Sequence, residues 1–122
     1  MLVGNKIPFV NDKMKMDKAL KVLTEKKLGI LIARNKFLKT TGVFTDGDIK
    51  RTIQKNIDIK KNKIKNFMSK NPISVEKDTL AAKALSIMND KKITSLCVYN
   101  KNNKNKTIGI IHIHNILKSN IS

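Results

Sequence analysis

Two short turns hold the residues best suited to chemistry. The first is Gly42-Val43-Phe44-Thr45-Asp46-Gly47-Asp48, an apolar stretch followed by one hydroxyl and two carboxylates. An ionised Asp48 can accept both hydrogen bonds of a vicinal diol such as that of a ribose. Thr45 can bond a phosphate or sugar oxygen, and a helix starting just behind it favours an anion there. Asp46 adds a second carboxylate to the same turn, and Gly42 would let backbone approach a flat ring closely. Lys50 and Arg51, one turn further on, could neutralise phosphates. A plainer reading is also open: Thr45 and Asp48 are the residue types that cap a helix N-terminus.

The second turn is Gly109-Ile110-Ile111-His112-Ile113-His114-Asn115. Asn115 can bond a hydroxyl without charge. His112 and His114 stand two apart, but no Cys, Asp or Glu lies nearby to complete a metal shell, so no metal site is expected. They read as hydrogen-bonded imidazoles at a contact surface, as contacts to an anionic ligand, or as contacts to a separate catalytic domain.

Each turn needs a strand before it and a helix after it. Ile7-Pro8-Phe9-Val10 is extended, since Pro8 disfavours helix at Ile7. Met16, Ala19, Leu20, Leu23 and Leu28 recur at helical spacing, with Asp12 or a neighbour as cap and Gly29 as the stop. Gly29 to Ala33 is a buried strand and Thr40 to Phe44 its partner. A helix from Asp46 carries Ile49, Ile53 and Ile57. The stretch 57–66, rich in Lys and Asn, reads as a tether.

The pattern then restarts. Pro72 to Val75 is a strand, and Asp78 is placed to cap a helix whose apolar residues are Leu80, Ala81, Ala84, Leu85 and Met88. Ile93 to Tyr99 and Thr107 to Ile111 are strands joined by a polar loop at 101–106. Ile113, Ile116 and Leu117 open a last helix. Val75 lies 65 positions after Val10, Leu85 65 after Leu20, and Val98 65 after Ala33. Past the loop the offset is 67, with Gly109 over Gly42 and Asn115 over Asp48. An internal repeat of one β-α-β-β-α unit is therefore expected. The expected units are residues 1–58 and 67–122 with a linker at 59–66, in an α+β chain whose two apolar sheet faces pack together.

Composition narrows the classes. The chain has 122 residues, 26 Lys and Arg against 9 Asp and Glu, and a net charge of +17. Such a surface attracts phosphate-rich partners. Yet Arg34 and Arg51 are the only arginines, aromatics are 4%, and Lys is spread along the whole chain. Dedicated nucleic-acid surfaces favour arginine and stacking aromatics. An AT-rich genome would give the same Lys, Asn and Ile bias, so nucleic acid is not the expected partner. No apolar run reaches the ~18 residues that span a bilayer. Cys97, in an apolar run, reads as a buried thiol in a reducing cytoplasm. No paired acid and base or activated nucleophile is visible, so turnover by this chain is not expected.

The doubled unit, with Gly-apolar-apolar-Thr-x-x-Asp at the last strand–helix junction, resembles the tandem CBS (cystathionine β-synthase-type) domain pair. The first copy, ending in Thr45 and Asp48, matches the motif fully; in the second, His112 replaces the hydroxyl and Asn115 the carboxylate. The chain is more specifically similar to the C-terminal CBS region of arabinose-5-phosphate isomerases, on Gly4-Asn5-Lys6-Ile7-Pro8, the Thr-Asp-Gly-Asp turn, Ile93-Thr94-Ser95 and the His-x-His turn. The resemblance implies two units around a pseudo-two-fold axis, with Pro72, Ile93 and Thr94 lining a cleft. It implies a homodimer and a regulatory nucleotide, an adenine nucleotide or a CMP-linked sugar, with no required cofactor. In that family a sugar-isomerase (SIS) domain does the chemistry, and these 122 residues have no room for one. A fragment, a truncated gene and a free-standing regulatory module are the readings left. Two other functions compete: a structural dimerisation module with a non-functional ligand site, and a Lys-rich surface for nucleic acid.

Overall fold

The computed structural model describes residues 2–55, 58, 61–114 and 116. The elements in order are β1 (Leu2–Val3), a 3-10 turn (Gly4–Lys6), β2 (Phe9–Asn11), α1 (Met16–Lys26), β3 (Ile30–Arg34), β4 (Thr40–Thr45) and α2 (Asp46–Gln54). A second 3-10 turn (Ile64–Asn66), β5 (Ser74–Glu76), α3 (Ala81–Lys91), β6 (Ser95–Asn100) and β7 (Asn103–His112) complete the series. Helical residues follow β7 at positions 113 and 114. Among the described residues no helix is long and apolar enough to cross a membrane.

The chain folds as two compact units, residues 8–72 and residues 1–7 with 73–122. In the first, β2 pairs parallel with β3, and β3 antiparallel with β4, giving the order β2-β3-β4. The core is Val10, Met16, Ala19, Leu23, Leu31, Ala33, Phe44 and Ile64. Phe44 is fully buried, a transfer term of ~2–3 kcal/mol. In the second unit β5 pairs parallel with β6, and β7 pairs antiparallel with both β6 and β1. Its core is Val75, Ala84, Met88, Leu96, Val98 and Ile116.

The repeat is realised bond by bond. The Asp12 N–H donates to the Arg34 carbonyl at 3.0 Å, and the Lys77 N–H, 65 positions on, to the Tyr99 carbonyl at 2.9 Å. Both first helices of a unit end on a lysine in the left-handed region, Lys27 (φ 55°) and Lys92 (φ 56°). After the offset changes to 67, the Asp46 N–H bonds the Gly29 carbonyl at 3.3 Å and the Ile113 N–H bonds the Thr94 carbonyl at 2.8 Å. The α+β reading and the β-α-β-β-α order of the first unit therefore hold; the second unit repeats β-α-β-β, and most of its expected last helix lies outside the described residues.

Several local expectations do not. Neither Asp12 nor Asp78 caps a helix: the N-caps of α1 and α3 are Lys15 and Leu80, with no side-chain bond. Each aspartate sits instead in a turn closed by backbone, Met14 N–H to the Asn11 carbonyl and Thr79 N–H to the Glu76 carbonyl, both at 3.0 Å. The first helix stops at Lys26 because Lys27 turns left-handed, before Gly29 is reached. Leu80, expected on an apolar face, is 77% exposed because it precedes the first turn of α3. Ile53 is also exposed, and Ile57 and Leu117 lie outside the described residues. The loop at 101–106 is mostly strand, with a tight turn at Lys101 and Asn102. Ile64, expected in a tether, is fully buried, because the Ile64 N–H bonds the Met14 carbonyl and the Met16 N–H the Asn62 carbonyl, both at 2.8 Å.

Candidate functional site

The Thr45–Asp48 turn is built by the exit of β4. Thr45 keeps extended backbone (φ −123°, ψ 170°), so its carbonyl starts α2 while its side chain faces the first-turn N–H groups. The Asp48 N–H donates to Thr45 Oγ1 at 3.4 Å, and the Thr45 N–H donates to Asp48 Oδ2 at 2.9 Å. That reciprocal pair is a capping box. The Thr45 hydroxyl also donates to Asp48 Oδ2 at 3.2 Å. The plainer reading of these two residues is thus realised in full.

Asp48 is 5% exposed, and its other oxygen is held by two side chains. Arg51 Nη2 donates to Oδ1 at 2.6 Å and Ser69 Oγ donates to Oδ1 at 3.4 Å. Burying a carboxylate is costly unless it is paired and hydrogen-bonded, and both oxygens here are. The Arg51 side chain is 63% exposed. Thr52, also buried, bonds back to the Asp48 carbonyl at 2.8 Å and locks the same turn of helix.

Ser69 is the residue sequence reasoning missed. It lies 21 positions from Asp48, and no periodicity links the two. It is delivered by a backbone bridge beside β4: the Ser69 N–H bonds the Val43 carbonyl at 2.8 Å, and the Val43 N–H returns to the Ser69 carbonyl at 3.0 Å. That segment explains Gly42. A Cβ at position 42 would stand 2.7 Å from both Met68 Sδ and the Ser69 carbonyl oxygen. The space beside Gly42 is therefore filled by this chain's own Met68 and Ser69. Asp46 is exposed and turns towards Gly29, where an added Cβ would meet its Oδ2 at 2.9 Å.

Of the named candidates, Gly42, Thr45, Asp46 and Asp48 are brought together on one strand–helix junction of the unit spanning residues 8–72. Pro72 is half-buried at the end of that unit. In the other unit Ile93 packs against the core, and Thr94 is exposed with its carbonyl on the Ile113 N–H. His112 closes β7 opposite Ser95. The His112 and His114 rings stack with centroids 4.7 Å apart, and the His114 N–H donates to His112 Nδ1 at 3.1 Å. An imidazole nitrogen here does part of what the Thr45 hydroxyl does in the first copy. Burial, then the neighbouring His114, holds the His112 pKa below its ordinary value. Asn115 lies outside the described residues.

Comparison with known proteins fits this geometry. Residues 64–121 match the CBS domain family model. The chain is 31% identical over 121 residues to arabinose 5-phosphate isomerase KdsD of Yersinia pestis, covering 99% of this chain and 36% of that protein. It thus spans little more than a third of the length of that curated relative. The solved structure of CBSX2 in complex with AMP superposes with a TM-score of 0.82 at 23% identity, covering 99% of this chain and 92% of that one. The CBS domain pair of protein MJ0100, in complex with 5′-methylthioadenosine and S-adenosyl-L-methionine, superposes at 0.82 with 19% identity, covering 96% and 90%. Residues 64–121 thus match the CBS domain, and over nearly its whole length the chain shares the fold of solved CBS-domain structures and is similar to the CBS region of arabinose 5-phosphate isomerases.

Proposed function

We propose that this chain is a ligand-sensing regulatory module that binds a nucleotide-type ligand at the Thr45–Asp48 turn. One observation carries the reading: a nearly buried carboxylate stands at a helix N-terminus with one oxygen held, among the described residues, by side chains that can rotate away. A ribose diol needs such an acceptor, and the dipole of α2 favours a phosphate beside Thr45. The AMP complex of CBSX2 and the adenosyl complexes of the MJ0100 pair support an adenine-type ligand. The similarity to arabinose 5-phosphate isomerase supports service to such an enzyme, with a CMP-linked sugar as the other candidate ligand. Homodimerisation, a cytoplasmic setting and a SIS-type isomerase domain as partner belong to the same proposal. Such a ligand regulates only by its difference in affinity between two states of the assembly.

A second reading, a structural dimerisation module with a closed ligand site, is favoured by two facts. Asp48 is saturated by its own chain, and the space at Gly42 is occupied. A thermal-shift panel separates the two, using AMP, ATP, S-adenosylmethionine, CMP and a CMP-linked sugar, each at low and high salt. A ligand present at a hundred times its Kd adds about 2.7 kcal/mol of stability. A salt-resistant shift with one nucleotide, lost in Asp48→Asn, supports the sensor. Equal small shifts erased by salt, as generic attraction to a chain of net charge +17 would give, support the structural module.

A further inference from the structure

The two oxygens of Asp48 are held in different ways. Oδ2 takes the Thr45 N–H at 2.9 Å and the Thr45 hydroxyl at 3.2 Å, so releasing it undoes the start of α2. Among the described residues, Oδ1 takes only Arg51 Nη2 at 2.6 Å and Ser69 Oγ at 3.4 Å. The Arg51 guanidinium reaches that oxygen by lying over Gly47. A Cβ there would stand 3.5 Å and 3.6 Å from its two terminal nitrogens, and 3.6 Å from Thr45 Oγ1. The cation therefore covers the very turn that a ligand must approach.

Resting on the nucleotide reading above, we propose that Arg51 is an exchangeable internal occupant of this site, and that the exchange makes the site select phosphorylated nucleosides over neutral ones. A ligand diol reaches Oδ1 only by displacing the guanidinium. A neutral nucleoside then bonds the same carboxylate through its hydroxyls but leaves the displaced guanidinium with no anionic partner. A ligand that also carries a phosphate gives the displaced guanidinium a new bidentate partner beside Thr45. The Arg51 side chain is 63% exposed and so has room to swing from Asp48 to such a phosphate. Lys could not act equally well, since it offers a point charge without the planar fork.

Titration calorimetry on the full chain with two probes, AMP and adenosine, tests this. The variants are Arg51→Met and, as a control for lost charge, Lys55→Met at the far end of α2. Circular dichroism first confirms that each variant is folded. The expected result is that Arg51→Met tightens adenosine, weakens AMP and lowers the adenosine-to-AMP ratio of Kd values by about tenfold, the size of one lost charged contact. Lys55→Met leaves that ratio unchanged. If AMP still binds and the ratio in Arg51→Met stays within about twofold of wild type, the exchange is overturned while the nucleotide reading stands. If neither probe binds wild type or any variant, the nucleotide reading itself fails and takes the exchange with it.

Discussion

Replacing Asp48 separates what it does for the fold from what it does for a ligand. Asp48→Ala removes half of the capping box and leaves the Thr45 N–H without its acceptor at the junction of β4 and α2. A lost cap costs about 1 kcal/mol, and a part-buried donor left unpaired adds about 1 kcal/mol more. The Arg51 pair adds close to nothing, because the Arg51 side chain is 63% exposed. The expected loss is therefore about 2 kcal/mol, or roughly 1 M in the urea midpoint at a slope near 2 kcal/mol/M. Asp48→Asn keeps an oxygen where the Thr45 N–H needs one, and its expected cost is about 1 kcal/mol or less. Urea unfolding followed by far-UV circular dichroism, with unchanged slopes, reads both. An Asp48→Ala midpoint equal to wild type would refute the capping role. Equal losses in the two variants would refute the view that an oxygen acceptor, rather than the charge, is what α2 requires.

Three more outcomes follow from the same geometry. His112 must be neutral for its Nδ1 to accept the His114 N–H, and its pKa is held below 6.5 by burial and by His114. The unfolded chain then binds the proton more readily, so stability is full above pH 6.5 and falls as the pH drops from there through the lowered value. His112→Gln should flatten that slope in urea titrations between about pH 7.5 and 5. Gly42→Ala places a methyl 2.7 Å from the Ser69 carbonyl oxygen, an overpacking that costs ~1–3 kcal/mol in chemical denaturation. Cys97 is buried and its thiol is pushed up to about 11, the Thr107 hydrogen bond only partly opposing burial. A disulfide reagent at about pH 8 should label it slowly in the native chain and at once in denaturant.

What the sequence could and could not show has physical reasons. The repeat was visible because each unit buries equivalent residues: Val10 and Val75, Ala19 and Ala84, Ala33 and Val98 are all core. The Thr45–Asp48 cap was legible because both halves of a capping box lie three residues apart. Asp12 and Asp78 misled because aspartate serves turns as well as helix caps, and here backbone turns precede extended Lys15 and Leu80. Ile64 reads as an isolated anchor among lysines and asparagines, where a lone apolar residue carries no period to place it in a core; a backbone bridge between Lys15 and Lys63 brings it there. Leu2 and Val3 join the second unit by pairing with Ile110 and Gly109, a long-range contact that local pattern cannot reveal. Ser69 reaches Asp48 for the same kind of reason, through its bridge to Val43.

Whether a nucleotide binds at the strand–helix junction is most directly read from an amide proton–nitrogen correlation spectrum of the chain titrated with AMP. The expected result is saturable, salt-resistant shifts at Thr45, Gly47, Asp48 and the Ser69 amide bonded to Val43, abolished in Asp48→Asn. Saturable shifts confined to other residues, or only weak changes spread over the lysines and erased by salt, would contradict a ligand site at Asp48.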